Sequence, residues 1–147
     1  MRRAAAVVSA ISIALMLALG APAFAATPDQ WRQRADAICQ GGDAAISAAL
    51  QAAFPNGLPD EPTSDDIKLV SSTAAPIFQQ QHDEIAALAR PAKLKKKIKQ
   101  LLKTFQKGVD NIASGAENGD VSVDELDNAL VPASKKAKTL GLEVCGA

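Results

Sequence analysis

The chain has 147 residues, with 16 basic and 16 acidic side chains, one His, two Cys, one Trp and no Tyr. That length holds one domain, and so few His and Cys exclude a typical zinc site or a Cys-x-x-Cys redox centre. At 3% aromatic residues, there is no ladder of rings on which nucleic-acid bases would stack.

The first 25 residues read as a secretory signal peptide. Met1-Arg2-Arg3 is a basic start, Ala4 to Leu19 is an uncharged apolar run, and Gly20 and Pro22 break it. Ala23-Phe24-Ala25 then fits the small-x-small rule of signal peptidase. The competing reading is a retained membrane anchor, because residues 4–26 carry only Ser9 and Ser12 as polar side chains and are long enough to span a bilayer. The first cysteine is Cys39, so no lipid-anchor cysteine follows the apolar run. Cleavage leaves residues 26–147 as one helical domain outside the cytoplasm.

Helix formers dominate that domain, and four amphipathic segments follow in order. The first opens with Thr27 as N-cap, Pro28 at the first helical position and Gln30 closing a capping box. Trp31, Ala35, Ile38, Ile46, Ala49 and Ala53 form its apolar stripe, Gly41-Gly42 interrupts its middle, and it ends near Phe54. The second starts after Thr63 or Ser64, with Asp65 and Asp66 in its first turn. Its stripe is Ile67, Val70, Ala74, Ile77, Ile85 and Leu88; Pro76 predicts a bend, and Pro91 stops it.

The third segment has the clearest period. Leu94, Ile98, Leu101, Phe105, Val109 and Ile112 follow a heptad-like seam that ends at Asn118-Gly119. The fourth begins with a capping box from Ser122 to Glu125 and runs to Leu140, with Pro132 inside it. Gly141 and Leu142 fit a Schellman ending. These segments predict an all-α fold: an up-down four-helix bundle, kinked near mid-length and closed by one disulfide. The alternative is that the breakers split the rods into five to seven shorter helices.

Cys39 and Cys145 are the two candidates for that disulfide. Export permits it, their even number suggests it, and an antiparallel last helix would return the tail to the first. Two free thiols, or an intermolecular pair, are the competing readings.

Charge is unevenly spread. Residues 26–90 carry 4 basic and 9 acidic side chains, residues 91–107 carry 7 Lys and no acid, and residues 108–147 carry 3 basic and 7 acidic. Within this belt Lys93, Lys96, Lys97, Lys103 and Lys107 fall away from the apolar seam, with Lys95 and Lys99 flanking it. They are the candidate binding residues, for an anionic envelope polymer, lipid headgroups or an acidic protein surface. The bland reading is a solvated face balancing acidic neighbours. Export and the missing rings argue against nucleic acid, and a membrane is a partner only if the signal segment stays uncut.

Other motifs carry less. Asn118 to Glu125 resembles the second half of an EF-hand calcium loop, but the register puts Ser114 and Ala116 where carboxylates are needed. His82, beside Asp83-Glu84, lacks a paired Ser or Cys, so no catalytic residue, metal or cofactor is assigned. A second expectation is an apolar pocket at mid-bundle near Ile38, Ile77, Phe78 and Leu101, fit for a small apolar ligand or lipid.

Three stretches carry a resemblance. They are Trp31-Arg32-Gln33-Arg34-Ala35-Asp36-Ala37-Ile38-Cys39, Ala87-Leu88-Ala89-Arg90-Pro91, and Leu140-Gly141-Leu142-Glu143-Val144-Cys145-Gly146. Together they resemble small, uncharacterised, exported all-α proteins of high-GC bacteria. The resemblance implies a disulfide-closed helical domain and no activity; Gly41-Gly42 and Pro132 depart from it. The sequence thus predicts a non-enzymatic binding or interaction protein of the cell envelope or the medium. The alternative is a carrier of an apolar ligand.

Overall fold

A computed structural model describes residues 26–119 and 121–146. The signal-peptide segment, residues 1–25, lies outside the described residues. Five helices follow one another: α1 (Pro28–Ala53), α2 (Ser64–Ala87), α3 (Lys95–Asn118), α4 (Val123–Asn128) and α5 (Val131–Thr139). No strand occurs among the described residues. Nor is any described helix long and apolar enough to cross a membrane.

The helix ends follow from local chemistry. Thr27, Thr63 and Ser122 each accept a hydrogen bond from the backbone N–H three residues on, and the side chains of Gln30, Asp66 and Glu125 reach back to complete three capping boxes. α3 stops at Gly119, whose φ of +67° favours glycine. α5 closes in a Schellman motif: the Gly141 N–H donates to Lys138 O, and the Leu142 N–H to Ala137 O.

Three breakers have two outcomes. α1 runs unbroken through Gly41-Gly42, and α2 runs unbroken through Pro76. Pro76 sits on an exposed face beside exposed Ser72, so the carbonyl that loses its helical donor meets water. Pro132 does divide the expected fourth rod into α4 and α5. A proline ring clashes with the carbonyl four residues back, and here that residue is Asn128, the last of α4.

α1 packs on α2, α2 on α3, and α3 on both α4 and α5. The main core joins Trp31 and Ala35 of α1, Ile85 of α2, the α3 seam from Ile98 to Val109, and Ala133, Ala137, Leu140 and Leu142 from the end of the chain. Toward the other end the core thins to Ala74, Ala75 and Ile112. Small side chains let α2 and α3 approach closely there, with Ser71 fully buried against Gly115.

The C-terminal tail returns to α1, where three residues on one helical face hold it. Arg32 Nε donates to Leu140 O at 2.6 Å. The Asp36 carboxylate accepts the backbone N–H groups of Glu143, Val144 and Cys145 at 3.0, 2.9 and 3.1 Å. One turn further on, Cys39 is disulfide-bonded to Cys145 with the two Cα atoms 5.3 Å apart. The spacing of 32, 36 and 39 aligns all three along α1. This gives the two cysteine-centred stretches of the sequence a physical meaning: one supplies the clamp and the other the strand of backbone it grips.

Candidate functional site

The lysine belt is a surface. All seven lysines between Lys93 and Lys107 are exposed, and none lies within 4.0 Å of a carboxylate among the described residues. The solvated face is therefore not neutralised by contact ion pairs with α2 or α4. Ile98, Leu101, Phe105 and Val109 turn one side of α3 into the core, and the helical period then places Lys96, Lys103 and Lys107 on the opposite side.

The start of α3 adds to this field. Its first turn contains Lys95, Lys96 and Lys97 and no acid, and its N-cap, Leu94, makes no side-chain capping bond. A helix N-terminus already carries about half a positive charge, so these cations raise the local potential at some cost to the helix.

Packing of α2 against α3 then turns part of the belt into a groove of about 520 Å³. Lys99, Lys103 and Lys107 line it from α3, with Arg90 from the α2–α3 connection and His82 from α2. Leu102 and Ala86 form its apolar floor, and Asp110 is the acid on its wall. The guanidinium of Arg90 donates to Ala86 O at 3.1 Å, which fixes it over the end of α2. His82 is half-buried, with Nδ1 2.9 Å from Asp83 Oδ1 and its ring edge-on to Phe105 at 6.0 Å. The bond from His82 holds the Asp83 carboxyl below the usual range.

Of the five candidate lysines, the groove brings together Lys103 and Lys107. Lys93, Lys96 and Lys97 stand exposed beyond its lining, and Lys99, which the helical period places beside the seam, belongs inside it. Arg90 and His82 are the members that sequence periodicity missed. Their positions on the α2–α3 connection and on α2 say nothing of α3 until the register between the two helices is known.

The mid-bundle pocket is not one space. Phe78 and Leu101 line a cleft of about 290 Å³ between α1 and the α4–α5 arm. Ile38 and Ile77 line a separate depression of about 370 Å³ between α1 and α2. Gln81, which is 4% exposed, stands between them and donates from Nε2 to Cys39 O at 3.1 Å. A third space, about 450 Å³, lies between the end of α1 and α4, lined by Leu50, Phe54 and Leu126.

The calcium-loop register is not formed: Ser114 and Ala116 belong to the last turns of α3, and Ser122 and Glu125 are the capping box of α4. No group of three or more metal-ligating side chains occurs among the described residues. Comparison with protein-family models, curated proteins and solved structures finds no match to the chain.

Proposed function

We propose that the chain is an exported, non-enzymatic binding protein that docks on a densely anionic surface through α3. One observation carries this reading: a run of exposed lysines, crowded into a helix start that disfavours cations, meets no described carboxylate within ion-pairing distance. A sequence that departs from local helix rules in this way does so where function outweighs stability. The shallow groove gathers four cations, Arg90, Lys99, Lys103 and Lys107, and so raises the local positive potential. An anionic envelope polymer or a layer of lipid headgroups offers the repeated negative charge that such a stripe fits.

Export rests on the basic, apolar and Ala-x-Ala pattern of residues 1–25. The Cys39–Cys145 disulfide agrees with an oxidising compartment. The resemblance to small exported helical proteins of high-GC bacteria supports the same placement. Within this reading α1, α2, α3 and the α4–α5 pair form an up-and-down bundle that presents the lysine-bearing side of α3 outward.

The test is retention on envelope material from the producing cell. Changing Lys96, Lys97, Lys103 and Lys107 to Gln should abolish retention at physiological salt while leaving the urea unfolding midpoint in place. Retention unaffected by the four changes would remove the reading.

A further inference from the structure

We propose that binding of an oxyanion group in the groove between α2 and α3 is coupled to uptake of one proton by His82, so that the site tightens as pH falls. The inference rests on the proposed role of the α3 lysines and adds its regulation. The chain holds one histidine, and the fold sets it in the wall of the cationic groove. Histidine is the side chain whose ordinary charge change falls between about pH 5 and pH 8.

The geometry gives the two ring nitrogens different tasks. Nδ1 lies 2.9 Å from Asp83 Oδ1. An ionised carboxylate only accepts, so Nδ1 carries the hydrogen of the neutral ring. Nε2 is then the nitrogen with the lone pair, and it makes no hydrogen bond to a described residue. Asp83 is held in turn, because Gln79 Nε2 donates to the same oxygen at 2.9 Å. On its other side the ring packs edge-on against buried Phe105 of α3. With 16% of its side chain exposed, the imidazole is fixed in place and still reachable from the groove.

The charges around the ring come from three elements. Asp83 lies beside it on α2, Arg90 on the α2–α3 connection, and Lys99, Lys103, Lys107 and Asp110 on α3. The four cations oppose a further positive charge on the ring, and the two carboxylates favour one. An oxyanion seated among the cations cancels their effect and adds its own attraction for the proton. Unprotonated, Nε2 turns a lone pair on that oxyanion; protonated, it becomes one more donor to it. Linkage makes the effect reciprocal: a ligand that favours the proton is itself favoured by the proton. Carboxyl groups ordinarily titrate below this window, and Lys and Arg above it.

The experiment uses two probes whose own charge is constant over the window: vesicles of phosphatidylglycerol and phosphatidylcholine, and dextran sulfate. Affinity of the oxidised chain is measured at about pH 7 and about pH 5.5 at one ionic strength. On at least one probe it should rise about threefold to tenfold at the lower pH, and His82→Gln should remove the rise while lysine-driven binding persists. A rise on the vesicles alone assigns the oxyanion to lipid phosphate, and one on dextran sulfate alone to a polymer; either supports the coupling. Calorimetry of the wild type in buffers of different ionisation enthalpy should show net proton uptake. The single histidine C2–H NMR signal should move toward its protonated position when the probe is added at about pH 6.5. These last two readouts need no variant, so they decide the matter even if His82→Gln fails to fold. Binding without pH dependence, a histidine signal that does not move, or a rise that persists in folded His82→Gln would overturn the inference and leave the lysine reading standing. Binding to neither probe at either pH would remove the lysine reading and the inference with it.

Discussion

Gly41 and Gly42 are chain neighbours with opposite surroundings. A Cβ at Gly41 would meet nothing within 4 Å, whereas one at Gly42 would collide with the Gln81 side chain. Gly41→Ala should therefore stabilise the protein by about 0.5–1 kcal/mol, the usual gain from removing backbone freedom in an exposed helix. Gly42→Ala should destabilise it by about 1–3 kcal/mol, because the buried Gln81 must move and its amide loses the Cys39 carbonyl as acceptor. Urea unfolding of the two variants should show midpoints shifted in opposite directions. A shift of the same sign in both would mean that the pair acts as a hinge, not as a seat for Gln81. The Gly-Gly pair is visible in the sequence as a breaker, but its role is not, since Gln81 lies 39 residues away on another helix.

At the scale of the helix, the capping boxes make two carboxylates structural. Hydrogen bonds from Thr63 hold Asp66, and those from Ser122 hold Glu125, below the ordinary values of 3.8 and 4.5. Because the folded pKa values are lowered, these bonds stabilise the starts of α2 and α4 above the ordinary carboxylate range. They are lost as pH falls through the folded values. Amide protection factors at residues 64–67 and 123–126 should fall on acidification ahead of those of the α3 seam, and Asp66→Asn and Glu125→Gln should flatten that dependence. Protection factors unchanged down to unfolding would contradict it.

The starts of α1 and α4 were legible because a capping box is local: Thr27 and Ser122 sit three residues before the side chain that answers them. The sequence leaves the start of α2 between Thr63 and Ser64, and the box from Thr63 to Asp66 is hidden because Asp65 and Asp66 both suit a first turn. The α3 core was legible because one side of a helix repeats with a fixed period, and Ile98, Leu101, Phe105 and Val109 are buried as the period requires. The division at Pro132 was foreseen only as the alternative in which breakers split the rods. Pro76 and Pro132 are both exposed, as are Ser72 and Asn128 four residues before them, so proline chemistry alone does not decide which helix divides. Arg32 and Asp36 were not legible as a clamp, because their partners are backbone groups more than 100 residues away.

Over the whole molecule, one covalent bond and one asymmetry of charge dominate. The disulfide closes a loop with a sequence separation of 106. In the chain-entropy picture it contributes about 4–5 kcal/mol by restricting the unfolded chain. Replacing Cys39 and Cys145 by Ser should lower the unfolding free energy by about that amount, and an unchanged urea midpoint would show that the Arg32 and Asp36 contacts alone secure the tail. The asymmetry separates a cationic face on α2 and α3 from an acid-lined cleft between α1 and α4, in a chain whose residues 26–147 carry 14 basic and 16 acidic side chains. Net charge gives no hint of either; the lysines are already clustered in residues 91–107, whereas packing brings together the cleft acids Asp43 and Asp127.

In the proposed reading the cationic side of α3 acts as one stripe, from the lysines of its first turn to those lining the groove. The direct measurement is cosedimentation with vesicles of mixed anionic and zwitterionic lipid, and with a soluble polyanion, across a series of ionic strengths. Two variants of equal charge are compared, one with Lys99, Lys103 and Lys107 changed to Gln, the other with Lys93, Lys95 and Lys97 changed to Gln. Wild-type binding should fall steeply with salt on at least one of the two anionic probes, and each variant should lose a large part of it. Full binding by both variants, or no binding by the wild type, would contradict the proposal.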